Sequence, residues 1–199
     1  MLTLLLVRHA SHGLLGRVLA GRLPGVSLSE AGLAEAERLG ALLAGRGISR
    51  ILSSPLERTR ETAAELATRA GCAVDIAPEI NEIDCGAWTG AAFDTLPEHP
   101  LWHDWNHRRA TATMPDGEGM AAVQTRALGL ITRLAAETSE IDTTVALVTH
   151  SDVVKAVAMA ALGLSLDRHD HLTVDPASVT TLHVFGDYMR VVRMNEVAA

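Results

Sequence analysis

Short apolar runs separated by amphipathic stretches are the feature that most constrains this chain. Residues 2–7 (LTLLLV), 48–52 (ISRIL), 73–77 (AVDIA), 144–149 (TVALVT) and 179–184 (VTTLHV) are each of strand length. A last run, 188–194 (YMRVVRM), follows Gly186-Asp187, a pair that predicts a hairpin. Between the early runs the apolar residues recur with helical spacing. Leu33, Ala36, Leu39, Leu42 and Leu43 mark one face, Val123, Ala127, Leu130, Ile131 and Leu134 another, and residues 153–162 a further helix. Strands alternating with helices of this length predict an α/β fold. Its mainly parallel central sheet carries helices on both faces, a three-layer α/β/α arrangement.

Local signals set the helix ends. Ser29 is placed to cap the first helix, with Gly45 and Gly47 as its stop. Ser54, Pro55 and Glu57 read as the N-cap, first residue and capping-box partner of a second helix. Residues 86–119 break the alternation with three prolines, all three tryptophans and no clean period. They are expected to form an insertion folded over the sheet, within one domain spanning 1–199.

Composition removes several function classes. The formal charge is -7 and aromatic residues make up 3%, which opposes nucleic-acid binding and leaves little material for stacking bases. No run of about 18 apolar residues exists to cross a membrane. The apolar start lacks the basic lead and small-residue site of a signal peptide. Cys72 and Cys85 stand apart without metal-ligand spacing, so two reduced thiols and a cytoplasmic location are expected.

The chemistry gathers where strands end. Arg8-His9 follows the first strand, Arg58 lies in the first turn after the second, and His150 follows 144–149 directly. Ligands of open α/β sheets bind beyond the carboxyl ends of the strands, so these side chains are positioned to meet. Two guanidiniums and a helix N-terminus suit a dianion, and an imidazole supplies a nucleophile. That set suits phosphoryl transfer without a metal. Each piece alone has a plainer reading: a solvated loop for Arg8-His9, a surface pair with Glu57 or Glu61 for Arg58, a helix cap for His150. Their shared location argues against that coincidence.

The motifs themselves carry a resemblance. LLLVRHA at 4–10, LSEAG at 28–32, SSPLERTRETA at 53–63, EINEIDCGAWTG at 79–90 and VTHSDVVKA at 148–156 are similar, in order, to those of the histidine phosphatase (phosphoglycerate-mutase-like) superfamily. Ala10 stands where that family usually has glycine, as in its small phosphatase branches, and Ser151-Asp152 stands where glycines are common. The resemblance implies that His9 takes the phosphoryl group as a phosphohistidine. Arg8, Arg58 and His150 then bind its oxygens, and Glu82 is the acid and base; sequence alone does not separate Glu82 from Glu79 or Asp84. Apolar neighbours such as Ile80, Ile83 or Trp88 are expected to raise the Glu82 pKa. Ser151, Arg17 and Arg22 are further candidates for substrate contact. Leu15 occupies the position of the family's usual asparagine.

The implied activity is hydrolysis of a small phosphomonoester, with no cofactor and no metal. A phosphomutase is the alternative reading, and a non-catalytic phospho-ligand module a further one. The modest length and insertion favour hydrolysis. Oligomeric state is not legible. His103 and His107 around Asp104, and His169 and His171 around Asp170, have spacings that permit a metal but are more often solvent-facing. His12 or His103 is a candidate for the pocket rim.

Overall fold

The computed structural model describes residues 1–137 and 142–198; residues 138–141 and 199 of the expected 1–199 unit lie outside the described residues. The chain runs β1 (Leu2–Arg8), α1 (Glu30–Leu43), β2 (Ile48–Ser53), α2 (Glu57–Ala70), β3 (Val74–Ile76), α3 (Trp102–His107), α4 (Met120–Glu137), β4 (Thr143–Thr149), α5 (Ser151–Leu162), β5 (Val179–Phe185) and β6 (Tyr188–Glu196). The strands form one six-stranded sheet in the order β3-β2-β4-β1-β5-β6. β3, β2, β4 and β1 are mutually parallel, while β5 and β6 are antiparallel additions on one side. The sheet is therefore mainly parallel, with helices around it.

Side-chain alternation explains why the strands read as continuous apolar runs. In β1, Leu2, Leu4 and Leu6 enter one core with α4 and α5, whereas Leu5 and Val7 enter a second core with α1 and α2. In β4, Val145 and Leu147 face the first core and Ala146 and Val148 the second. A strand covered on both faces has no solvent side on which to place polar residues. Truncating a fully buried leucine such as Leu4 or Leu5 to alanine would cost about 2–5 kcal/mol. Trp88, Leu96, Trp105 and Met114, from the expected insertion at 86–119, are buried in the first core. No helix among the described residues is long and apolar enough to cross a membrane.

The predicted hairpin forms, with Phe185 paired to Tyr188 and Gly186 at φ 63°. Ser29 caps α1 by accepting from the Gly32 amide. Two local expectations are corrected. Leu33 is 52% exposed, because the buried stripe of α1 runs through Gly32, Ala36, Leu39, Gly40 and Leu43. Ser54 and Pro55 precede α2, whose N-cap position is Leu56 without a side-chain cap. The Ser54 hydroxyl has long-range partners instead, and Glu57 accepts from the Gly25 amide rather than completing a capping box.

Gly32 explains LSEAG. A Cβ there would lie 1.9 Å from the Ser11 carbonyl oxygen, so only glycine lets the first turn of α1 press on the loop after β1. That loop is clamped in place. Ser11 O accepts from the Ser29 amide and hydroxyl, and Glu35 accepts from the Ser11 amide and hydroxyl.

Candidate active site

The parallel register puts the ends of three adjacent strands level. Arg8 of β1 lies opposite Thr149 of β4, and Ser53 of β2 lies opposite Val148. The next residues leave the sheet together at its carboxyl edge. His9 N donates to Thr149 O and Ser54 N to Val148 O. The cavity beyond this edge is about 240 Å³, and Arg8, His9, His12, Arg58, Glu82, Ser151 and Asp152 contribute to its wall. Leu15, Val18, Leu19 and Phe93 supply an apolar side.

His9 has a defined tautomer. Its Nδ1 lies 2.8 Å from the Ala10 carbonyl oxygen, an acceptor only, so Nδ1 carries the hydrogen and Nε2 is bare. Burial, then the Arg58 charge, holds its pKa well below 6.5. It is therefore neutral at pH 7 and able to attack. The loop behind it is tied to α2: Ala10 N donates to Thr62 Oγ1, which donates to the Arg58 carbonyl. On the other side, Ala177 N donates to His9 O. Ala177 sits at φ 52°, a left-handed conformation that costs a non-glycine residue about 1–2 kcal/mol.

Arg58 is buried and Arg8 half-buried, and both keep unused donors. Arg58 is 1% exposed; Nη2 donates to Gly21 O, while Nε and Nη1 have no partner among the described residues. Arg8 is anchored through Nη1 to Val174 O, and its Nε has no partner among the described residues. Buried N–H groups without acceptors are expensive unless a ligand uses them.

His150 is fully buried, with its ring centroid 5.2 Å from that of His9. Asn81 Oδ1 accepts from the Glu82 amide, which fixes the oxygen's orientation. Ser54 Oγ therefore donates to Asn81 Oδ1 and accepts from His150 Nε2 at 2.8 Å. His150 Nδ1 is left facing Arg58 Nη2 at 3.4 Å and Glu82 Oε2 at 3.5 Å. Burial, then His9 and Arg58, lower its pKa well below 6.5.

Glu82 follows a single 3₁₀ turn, Pro78–Ile80. Its carbonyl accepts from Arg22 Nε and Arg126 Nη2, and Glu118 binds both arginines and the Asp84 amide. Burial, reinforced by the Asp152 charge and opposed by Arg58, raises its pKa from 4.5 to about 7. Ile80, Ile83 and Trp88 are buried, and Asp152 is a cause of the raised pKa that the sequence did not suggest. The structure thus brings Arg8, His9, Arg58, Glu82, His150 and Ser151 together.

The other candidates fall elsewhere. Arg22 does not touch the cavity, because its guanidinium is taken by Glu82 O, Asp84 and Glu118. Arg17 is exposed, donates to Gly13 O and is not on the cavity wall. His103 and His107 stack on α3 with centroids 4.0 Å apart. His107, His169 and His171 border a separate open cavity with Asp167, Arg168 and Asp170. Among the described residues, no three His, Cys, Asp or Glu side chains gather as a metal site. His12 is the rim candidate that the structure places in the pocket. Ser54, Asn81, Glu118 and Arg126 were missed as site residues, since only long-range contacts reveal them.

Comparison with known proteins agrees with this geometry. Phosphoserine phosphatase 1 of Hydrogenobacter thermophilus is 31% identical over 189 residues, covering 92% of this chain and 87% of that protein. Adenosylcobalamin/alpha-ribazole phosphatase of Escherichia coli is 28% identical, over 85% and 84% of the two chains. The structure of mycobacterial glucosyl-3-phosphoglycerate phosphatase superimposes with a TM-score of 0.87 at 27% identity, covering 97% of this chain and 98% of that one. With the pattern of the histidine phosphatase superfamily (branch 1) matching residues 4–197, the chain belongs to that family.

Proposed function

We propose that this protein hydrolyses a small phosphomonoester, without a metal, through a phosphohistidine on His9. One observation carries the reading: a neutral His9 with a bare Nε2 shares a cavity with buried guanidinium N–H groups that no acceptor among the described residues uses. In the first step Nε2 attacks phosphorus, the bond to the ester oxygen breaks, and Glu82 gives that oxygen its proton. In the second, Glu82 takes a proton from water as the water attacks phosphorus, and the N–P bond breaks to return neutral His9 and release phosphate. Arg8 and Arg58 hold the oxygens on which charge spreads, the neutralisation that Mg²⁺ gives other phosphoryl-transfer enzymes; His150, expected among the oxygen-binding groups, instead gives its Nε2–H to Ser54 Oγ and positions Arg58 through Nδ1. A Glu82 pKa near 7 lets one carboxyl serve as acid and then as base.

A mutase would have to keep the phosphoenzyme dry and return the group to a bound intermediate. Hydrolysis is the better supported, since relatives named as phosphatases align over most of the chain. The test is to mix enzyme with a radiolabelled phosphomonoester, quench in base, and look for acid-labile label alongside turnover across a panel of esters. Label and turnover in the wild type, with both abolished in His9→Ala, is the expected result. Undiminished turnover in His9→Ala would overturn the mechanism, and phosphoryl return to a second substrate without phosphate release would favour the mutase.

A further inference from the structure

We infer that His12 is an additional hydrogen-bond donor to the phosphoryl group, acting as an uncharged N–H beside the cationic Arg8 and Arg58. This rests on the phosphatase reading above. His12 is 7% exposed and lines the same cavity as His9, with ring centroids 5.3 Å apart and planes tilted by 42°. That spacing leaves room for one phosphoryl group to touch both rings. The tautomer follows from a local bond. The Leu14 amide donates to His12 Nδ1, and only a bare nitrogen accepts, so the hydrogen of the neutral ring is on Nε2. That N–H has no acceptor among the described residues, although the side chain is almost wholly buried. A donor left unused on the wall of an anion pocket is placed for an anion's oxygen.

The ring's charge state fits a neutral role. The groups around it are Arg58, Arg8 and His9, and burial together with the two guanidiniums lowers its pKa to about 4. Over pH 5–9 it therefore donates without adding a positive charge beside His9. The neighbouring Leu15 is apolar and contributes no donor. The backbone at this point is fixed, since His12 bridges Leu28 and Ser11 is held by Glu35.

The rival is a purely structural His12 whose Nδ1 serves the turn to Leu14. His12→Asn separates the two, because an asparagine oxygen still accepts from an amide two residues on while its shorter side chain withdraws the donor. His12→Phe removes both. Affinity for orthophosphate and orthovanadate is measured by calorimetry at pH 6 and pH 8, with kcat/KM for an alkyl and an aryl phosphate. The expected loss is about 10- to 100-fold in anion affinity for both variants, equal at the two pH values, with unchanged melting of His12→Asn. kcat/KM should fall alike for both esters. Wild-type affinity in His12→Asn would reduce His12 to the turn and overturn the proposal. So would a loss confined to the alkyl ester, which marks a proton donor to the leaving group. A wild type that binds neither anion and hydrolyses no ester refutes the phosphatase reading, and this proposal with it.

Discussion

Replacing Gly32 by alanine tests whether the loop carrying the nucleophile is held by α1. The added Cβ would begin 1.9 Å from Ser11 O and 2.9 Å from Ser11 C, so about 1 Å of separation has to open before the contact is tolerable. Both partners are backbone, and neither rotates away. Opening it breaks the two hydrogen bonds from Ser29 to Ser11 O and strains the two from Ser11 to Glu35. At about 1 kcal/mol for each bond lost, less the gain of up to about 1 kcal/mol that alanine brings in helix propensity, the destabilisation is about 1–3 kcal/mol. For a domain of this size that lowers the melting temperature by about 2–12 °C. Gly129 is the internal control. It lies within α4 with no atom near a built Cβ, so Gly129→Ala should stabilise by about 0.5–1 kcal/mol. Thermal melts and p-nitrophenyl phosphate turnover below the transition are measured for both. Gly32→Ala should also lose activity while still folded, because the displaced loop begins next to His9. Equal melting temperatures for the two variants, or full activity in Gly32→Ala, would refute the reasoning.

Glu82→Gln should lower turnover of alkyl phosphates by about 10²–10⁴-fold and leave the first step on p-nitrophenyl phosphate much less affected, giving a burst of phenol in rapid mixing; equal losses for both esters, with no burst, would shift the acid role to Glu79 or Asp84. The same variant has a pH signature. With the folded Glu82 pKa raised to about 7 from 4.5, the folded state holds a proton that the unfolded state has lost, so its contribution falls as pH rises through that window and is flat above it. Glu82→Gln should therefore gain stability relative to wild type between pH 4.5 and 7, by about 3 kcal/mol at most; urea midpoints at pH 5 and pH 8 with an unchanged difference would contradict this. Exhaustive chelation should leave the wild-type rate intact, and recovery of a lost rate by added Zn²⁺ or Mg²⁺ would point to a metal.

The sheet was legible because burial on both faces writes β1 and β4 as nearly unbroken apolar runs, and Arg8, His9, Arg58 and His150 were legible because they sit at or just past strand ends. Glu82 had no such marker: it lies in an irregular segment whose role rests on neighbours in space, and the family motif was needed to single it out. Ser54 was misread for a physical reason. Ser-Pro-x-Glu before a helix is the same local pattern whether the hydroxyl caps the helix or, as here, reaches His150 and Asn81. Arg22 was expected at the substrate because its charge is visible in sequence. Its acceptors, 60 or more positions away, are not.

Asn81 ties two working parts of the pocket to one atom. Its Oδ1 accepts both from the Glu82 amide and from the Ser54 hydroxyl that orients His150. The proton-handling carboxyl and the imidazole that faces Arg58 are thus geared together: a shift of the acid loop re-aims the ring, and a loss of the ring's support loosens the loop. Such gearing limits how this pocket diversifies. Residues on its apolar side, such as Leu15 and Phe93, are free to be exchanged for a new leaving group, whereas position 81 admits only a side chain that keeps both acceptor bonds, and the reacting geometry is inherited as a block.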